Sequence, residues 1–242
     1  MQRQHLLRGP ERRPSGRRGH LVYSLPEMPR ADAGPSANEN LGTLVFLPGA
    51  LGNTRIWRPV ADGLSHQGPR RFFGWPGFSG VPTDPSVNGL SDLVARAVES
   101  LREPTVMFAQ SMGGVVAVRA TLSKPDKVRG LVLAVTSGGV DTMARGAVDW
   151  RPDLMRLYPE LPTWFQDESE DLSPRFREIR VPVLLLWGDA DPLSPVAVGR
   201  HLADLLPSAE LVVFEGGTHD LVLERADEVK AVIDRFLAKL SS

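Results

Sequence analysis

Ser111 is the residue in this chain best placed for nucleophilic chemistry. It lies at the centre of residues 109–113, AQSMG, after an apolar run and before an Ala- and Val-containing segment. A strand that turns sharply into a helix at such a serine forms a nucleophile elbow, and small flanking residues let the strand and the helix approach closely. The sequence therefore predicts that the Ser111 hydroxyl is presented at the end of a strand.

A serine hydroxyl needs a general base, and that base needs an acidic group to orient it. Of the five histidines, His219 is the one that directly follows a predicted strand, within residues 215–220, EGGTHD. Residues 187–192, WGDADP, offer two acids after the preceding strand; we favour Asp191, and Asp189 stays open as the alternative. The order Ser111, Asp191, His219 predicts a catalytic triad.

The segments that must position these residues alternate between strands and helices. Continuous apolar runs are typical of strands buried on both faces, and stripes with a period near 3.6 residues indicate amphipathic helices. The predicted strands are residues 44–47, 70–75, 105–110, 131–135, 183–187 and 211–214, and the predicted helices include residues 54–64, 90–102, 195–206 and 229–240. This pattern predicts an α/β fold with a mostly parallel, doubly wound sheet and helices on both faces. Ligands bind beyond the carboxyl ends of such strands, where Ser111 lies.

Residues 141–180 interrupt the alternation. They contain no strand pattern but are rich in aromatic residues and prolines, which is typical of a lid or functional insertion. We expect Trp150, Trp164 and Phe165 of this segment to contact substrate, together with Leu51. The acidic run at 167–171 is expected to be a solvated edge, because no nearby residues complete a metal site.

From residue 41 to residue 240 the sequence resembles the α/β-hydrolase superfamily. The resemblance is carried by the Ser111 elbow, a Gly-x-x-Asp motif ending at Asp191 and a Gly-x-x-His-like motif ending at His219. It implies an α/β-hydrolase fold with a short lid, no cofactor or metal, and an oxyanion hole made by the backbone N–H groups of Ala50 and Met112. This chain has Pro48 where relatives commonly have a histidine.

The favoured function is a serine hydrolase that cleaves a small carboxylic ester through an acyl-enzyme. Two alternatives stay open. The SMGG segment also resembles carbon–carbon bond hydrolases and lyases, for which Arg55 or Arg119 could bind a carboxylated metabolite. The second alternative is a receptor that binds ligand without catalysis. A serine nucleophile disfavours the dehalogenase and epoxide-hydrolase branches.

Composition narrows the remaining choices. With 242 residues, 42% of them apolar, the chain is long enough for one large domain. A net charge of −1 and a pI near 6.5 give no electrostatic argument for nucleic acid or an anionic membrane as the partner, and we expect a small-molecule substrate instead. The absence of cysteine excludes disulfides, thiolate catalysis and Cys-ligated metal. We expect no membrane span and a cytoplasmic location, with the oligomeric state, monomer or homodimer, left open.

The N-terminal residues differ from the rest of the chain. Six arginines and one acidic residue occupy residues 1–20. We expect residues 1–40 to be a disordered extension and residues 41–242 to form the hydrolase domain. The alternatives for the Arg-rich part of the extension are an arm that binds nucleic acid or tethers the protein to a membrane, and an organelle-targeting peptide. A further alternative, for residues 21–23, is a minor strand.

Overall fold

The computed structural model describes residues 20–23, 41–159, 161–162 and 170–241. Its strands are β1 His20–Tyr23, β2 Thr43–Leu47, β3 Arg70–Phe72, β4 Thr105–Gln110, β5 Val128–Ala134, β6 Val183–Gly188 and β7 Ala209–Phe214. Its α-helices are α1 Arg58–Gly63, α2 Leu90–Ser100, α3 Met112–Ser123, α4 Arg151–Leu157, α5 Val196–Leu205, α6 Leu221–Glu224 and α7 Ala226–Leu240.

The seven strands form one sheet in the order β1-β7-β6-β5-β4-β2-β3. Strand β1 is antiparallel to β7, and every other neighbouring pair is parallel. Because side chains alternate along a strand, Val45 and Leu47 belong to one apolar core while Leu44 and Phe46 belong to the other. Helices α2, α3 and α5 cover the first face, and α1, α6 and α7 cover the second. The predicted doubly wound α/β sheet is confirmed.

The helix predicted from residue 54 begins later than expected. Residues 53–56 form turns instead, in which the Asn53 side chain accepts the Arg55 N–H, and α1 begins at Arg58. Pro59 explains the difference, because proline has no N–H to donate to residue 55 and its ring would clash with that carbonyl group. Thr54 is therefore not the N-cap of this helix.

Strand β3 is also shorter than predicted. It ends at Phe72, and the chain then turns through a segment rich in glycine and proline. Trp75, which we expected at the end of the strand, therefore lies beyond it and points its indole at the loop that follows β2.

Among the described residues of 141–180 there is no strand. Its described part contains the 3-10 helices Met143–Arg145 and Ser173–Glu178 and the short helix α4. Phe176 is buried in the core beside α5 and is not among the residues that line the cavity next to Ser111. The assignment of this segment as a lid stays a prediction, as does the division of the chain at residue 40.

Residues 20–23 of the N-terminal segment form strand β1, which pairs with β7. This agrees with the alternative prediction of a minor strand at residues 21–23. No helix in the described ranges is long and apolar enough to cross a membrane.

Candidate active site

The turn between β4 and α3 holds Ser111 in a strained backbone conformation. Its φ of 54° and ψ of −126° lie outside the regions that non-glycine residues ordinarily adopt. The turn is tight because the flanking glycines have no side chain. A β-carbon added at Gly113 would lie 2.5 Å from the carbonyl oxygen of Pro48, and one added at Gly114 would lie 2.2 Å from the Thr136 hydroxyl oxygen. The Thr136 hydroxyl also donates to the Ser111 carbonyl group, which anchors the strained residue.

The imidazole of His219 lies between Ser111 and Asp191. Its Nε2 is 3.0 Å from the Ser111 Oγ, and its Nδ1 is 2.8 Å from the Asp191 Oδ2. The Asp191 side chain is fully buried, and its other oxygen accepts the Leu193 N–H at 2.8 Å. A carboxylate on Nδ1 favours the tautomer that carries its proton there, so Nε2 is left free to accept the hydroxyl proton.

Asp189 has a different partner. Its Oδ1 accepts the backbone N–H of Gly216 at 2.6 Å, which ties the loop after β6 to the loop that carries His219. Of the two acids that the sequence offered, Asp191 is the one in contact with the imidazole.

Gln110 is a site residue that the sequence reasoning missed. It is only 5% exposed, and its Nε2 donates to the backbone carbonyl group of His219 at 3.1 Å. Gln110 therefore holds the main chain of His219, whose imidazole contacts the Ser111 hydroxyl. A buried amide at the end of an apolar strand was the available signal, because buried polar groups in proteins are nearly always hydrogen-bonded.

The loop after β2, which carries Ala50, packs against the elbow. A β-carbon added at Gly49 would lie 3.1 Å from the Ser111 Cβ. None of the hydrogen bonds within the described residues uses the Ala50 N–H. Met112, the other predicted donor, is the first residue of α3, where N–H groups have no partner inside the helix.

A cavity of about 630 Å³ opens beside Ser111 and His219. Its apolar lining comes from the start of α2, from the elbow helix α3, from the segment that follows β5 and from the loop after β6. The apolar residues are Leu90, Met112, Val115, Val135, Val140, Met143, Val148, Trp150 and Leu193. The volume suits a small organic molecule.

Charged side chains also line this cavity, and acids outnumber bases. Four carboxylates and two guanidinium groups contribute: Asp141, Asp149, Glu170, Asp171, Arg119 and Arg151. Hydrogen bonds from Ser173 lower the pKa of Asp171, so that carboxylate is ionised at neutral pH. Both arginines face acids, Arg119 with Glu170 at 3.6 Å and Arg151 with Asp149 at 3.3 Å.

The four residues predicted to contact substrate differ in how they relate to this cavity. Trp150 lines the cavity. Leu51 is 43% exposed and is not among the lining residues, so its contact with substrate stays a prediction. Trp164 and Phe165 lie outside the described residues. Across the described ranges, no cluster of His, Asp and Glu side chains could hold a metal ion.

Comparison with characterised proteins points to enzymes that cleave esters. The chain is 23% identical over 239 residues to a pimeloyl-[acyl-carrier protein] methyl ester esterase of Aliivibrio salmonicida, which covers 80% of this chain and 91% of that protein. It is 26% identical over 241 residues to a poly(3-hydroxyalkanoate) depolymerase of Ectopseudomonas oleovorans, covering 82% of this chain and 85% of that protein.

Solved structures share the fold. A thermophilic esterase from Thermogutta terrifontis superposes with a TM-score of 0.66 at 19% identity, covering 83% of this chain and 91% of that one. A meta-cleavage product hydrolase from Pseudomonas fluorescens superposes with a TM-score of 0.67 at 16% identity, covering 82% and 91%.

Two family models match the chain. One, described as alpha/beta hydrolase fold, matches residues 159–226. The other, described as alpha/beta hydrolase family, matches residues 44–174, which is more than half of the chain. The resemblance seen in the motifs is thus confirmed, and the chain belongs to the alpha/beta hydrolase family of enzymes.

Proposed function

We propose that this protein is a serine esterase that hydrolyses a small, uncharged carboxylic ester through an acyl-enzyme. The observation that carries the proposal is the His219 imidazole, which bridges the Ser111 hydroxyl and the buried Asp191 carboxylate. A hydroxyl, a base and an orienting acid in this arrangement are what nucleophilic attack on an ester carbonyl requires.

In the first half of the reaction, His219 Nε2 takes the Ser111 proton while the Ser111 Oγ attacks the ester carbon. The Ala50 and Met112 N–H groups stabilise the negative oxygen of the tetrahedral intermediate, each contributing about 3 to 4 kcal/mol. The imidazolium, stabilised by Asp191, then gives its proton to the leaving alcohol. In the second half, His219 activates water, which attacks the acyl carbon and releases the acid.

The charges of the cavity support an uncharged substrate. Four carboxylates and two arginines line it, and each arginine already faces an acid. A substrate carboxylate about 8 Å from one further acid of the lining would be repelled by about 1 kcal/mol at an effective dielectric constant of about 40. Such a charge pattern disfavours the carboxylated metabolite that a carbon–carbon bond hydrolase or lyase of this type would use.

The named relatives support the same class of bond. The Aliivibrio salmonicida protein is named as a methyl ester esterase, and the Ectopseudomonas oleovorans protein as a depolymerase of poly(3-hydroxyalkanoate). We propose that this chain likewise acts on a carboxylic ester.

The test compares the purified protein with its Ser111→Ala variant on p-nitrophenyl esters of graded acyl length. A second series carries a terminal carboxylate on the acyl chain. We expect the wild-type protein to turn over the neutral series many times per active site, with the KM raised roughly fivefold for the carboxylated series. We expect the variant to be inactive on both.

Full activity in Ser111→Ala would contradict the proposal. Turnover confined to carboxylated substrates with a cleavable carbon–carbon bond would favour the alternative enzyme class. Stoichiometric binding of an ester without turnover would favour the receptor.

A further inference from the structure

The peptide unit that joins Gly49 to Ala50 has its carbonyl end firmly held. The Gly49 carbonyl oxygen accepts the indole N–H of Trp75 at 2.7 Å and the backbone N–H of Gly52 at 3.0 Å. This is the same peptide unit whose N–H, that of Ala50, is the proposed oxyanion donor. In a trans peptide the carbonyl and N–H bonds point in opposite directions, so fixing one end fixes the other.

Trp75 is itself immobilised. It is 1% exposed and packs in the core with Phe78. Gly52, which has a positive φ of 65°, lies against both side chains, since a β-carbon there would be 2.8 Å from the Phe78 Cβ and 3.4 Å from the Trp75 Cδ1. The indole is therefore a rigid donor whose position is set by packing rather than by solvent.

A further hydrogen bond holds the loop on the C-terminal side of Ala50. The Ser79 hydroxyl donates to the Leu51 carbonyl group at 2.6 Å. Trp75 and Ser79 both belong to the turn-rich segment after β3, so this segment fixes the carbonyl groups that precede and follow Ala50.

We propose that Trp75 is a positioning residue for the oxyanion hole: its indole N–H orients and polarises the Gly49–Ala50 peptide so that the Ala50 N–H points away from Trp75 as a strong donor. The inference rests on the proposed function and adds a residue to it. A carbonyl group that accepts two hydrogen bonds makes the N–H of the same peptide a better donor, because hydrogen-bond chains polarise one another. Trp75 touches no reacting atom and acts through Ala50 alone.

The test replaces the indole N–H while keeping an aromatic ring. Trp75→Phe removes the donor. A second variant that carries 3-benzothienylalanine at position 75 keeps the bicyclic shape and loses only the N–H, so it guards against a folding defect. Trp57→Phe is the matched control. The Trp57 indole also donates to a buried carbonyl group, that of Leu47 at 3.1 Å, but not to the Gly49–Ala50 peptide.

We expect kcat for a neutral ester to fall about tenfold in both position-75 variants, with KM within about twofold. That loss is smaller than the roughly 10²- to 10³-fold cost of deleting an oxyanion donor, because Gly52 still holds the peptide. The affinity for a trifluoromethyl ketone, which forms a tetrahedral oxyanion on serine, should fall by the same factor. The Trp57→Phe variant should keep its kcat within about twofold.

A measurement that does not need turnover separates this inference from the proposed function. The backbone ¹⁵N resonance of Ala50 reports the polarity of its peptide unit, and we expect an upfield shift in both position-75 variants and none in Trp57→Phe. Ester hydrolysis with unchanged kcat and an unchanged Ala50 resonance in both position-75 variants would overturn the inference alone. A shifted resonance in a protein that hydrolyses no ester would overturn the proposed function and leave the orienting role of Trp75 supported.

Discussion

Two acidic residues that lie two positions apart, Asp189 and Asp191, should differ sharply when each is replaced by alanine. Asp191 is in contact with the imidazole of His219, whereas Asp189 accepts one backbone N–H, that of Gly216. We therefore expect the Asp191→Ala variant to lose most of its ester hydrolysis and the Asp189→Ala variant to keep most of it.

The size of the first effect follows from the geometry. The Asp191 Oδ2 is 2.8 Å from the His219 Nδ1, which places the centres of the two charges about 4 Å apart once the imidazole is protonated. At an effective dielectric constant of about 20, the attraction is about 4 kcal/mol. Since about 1.4 kcal/mol corresponds to a tenfold change in rate, losing it should lower kcat about 10³-fold. Loss of the correct tautomer adds to this figure.

The second effect is structural. Within the described part of the chain, the Asp189 carboxylate makes one hydrogen bond, at 2.6 Å, to the loop that carries His219. Its loss should cost about 1 kcal/mol of unfolding free energy and lower kcat by less than about fivefold. The assay is steady-state hydrolysis of a neutral ester, with denaturant unfolding of each variant to show that both are folded. Equal losses of activity in the two variants, or more than a tenth of wild-type kcat in Asp191→Ala, would refute this reasoning.

Two further predictions concern other described contacts. Gln110→Met keeps the length of the side chain but removes the donor to the His219 carbonyl group. We expect the free energy of unfolding to fall by about 1 to 3 kcal/mol and kcat to fall roughly tenfold. A loss of stability with unchanged kcat would contradict a role of Gln110 in positioning His219. Asp84 has its pKa lowered to about 2 by hydrogen bonds from Ser86 and then from Arg96. Its contribution to stability should be present above about pH 4 and disappear as the pH falls through 2, so the difference in unfolding free energy between the wild-type protein and Asp84→Asn should shrink over that range. A constant difference from pH 6 to pH 2 would contradict it.

The apolar runs and turn motifs of the sequence predicted the strands of the sheet and the residues that directly follow them. The apolar runs around β4, β5, β6 and β7 predicted strands that are buried on both faces, and the parallel sheet is confirmed. Ser111, Asp191 and His219 each follow a strand, and the carboxyl ends of parallel strands meet at one edge, so the sequence order and the turn motifs were enough to expect their contact.

Contacts between distant elements were not predictable in the same way. The hydrogen bond from Trp75 to the Gly49 carbonyl joins residues 26 positions apart, and the bond from Gln110 to the His219 carbonyl joins residues 109 apart. A backbone carbonyl group has no sequence signature, so neither partner could be named from residue types. The late start of α1, in contrast, has a cause within the local sequence, because Pro59 disfavours a helix that begins several residues before it.

The most direct test of the proposed chemistry is to identify the residue that becomes acylated. The purified protein is mixed with a slowly hydrolysed ester, quenched in acid during the burst phase and digested, and the peptide that contains Ser111 is analysed by mass spectrometry. We expect the acyl mass on Ser111 in the wild-type protein, much slower formation of that adduct in His219→Ala, which lacks the general base, and no adduct in Ser111→Ala. Ester turnover with the acyl group on another residue, or with no covalent adduct in Ser111 under burst conditions, would contradict the account.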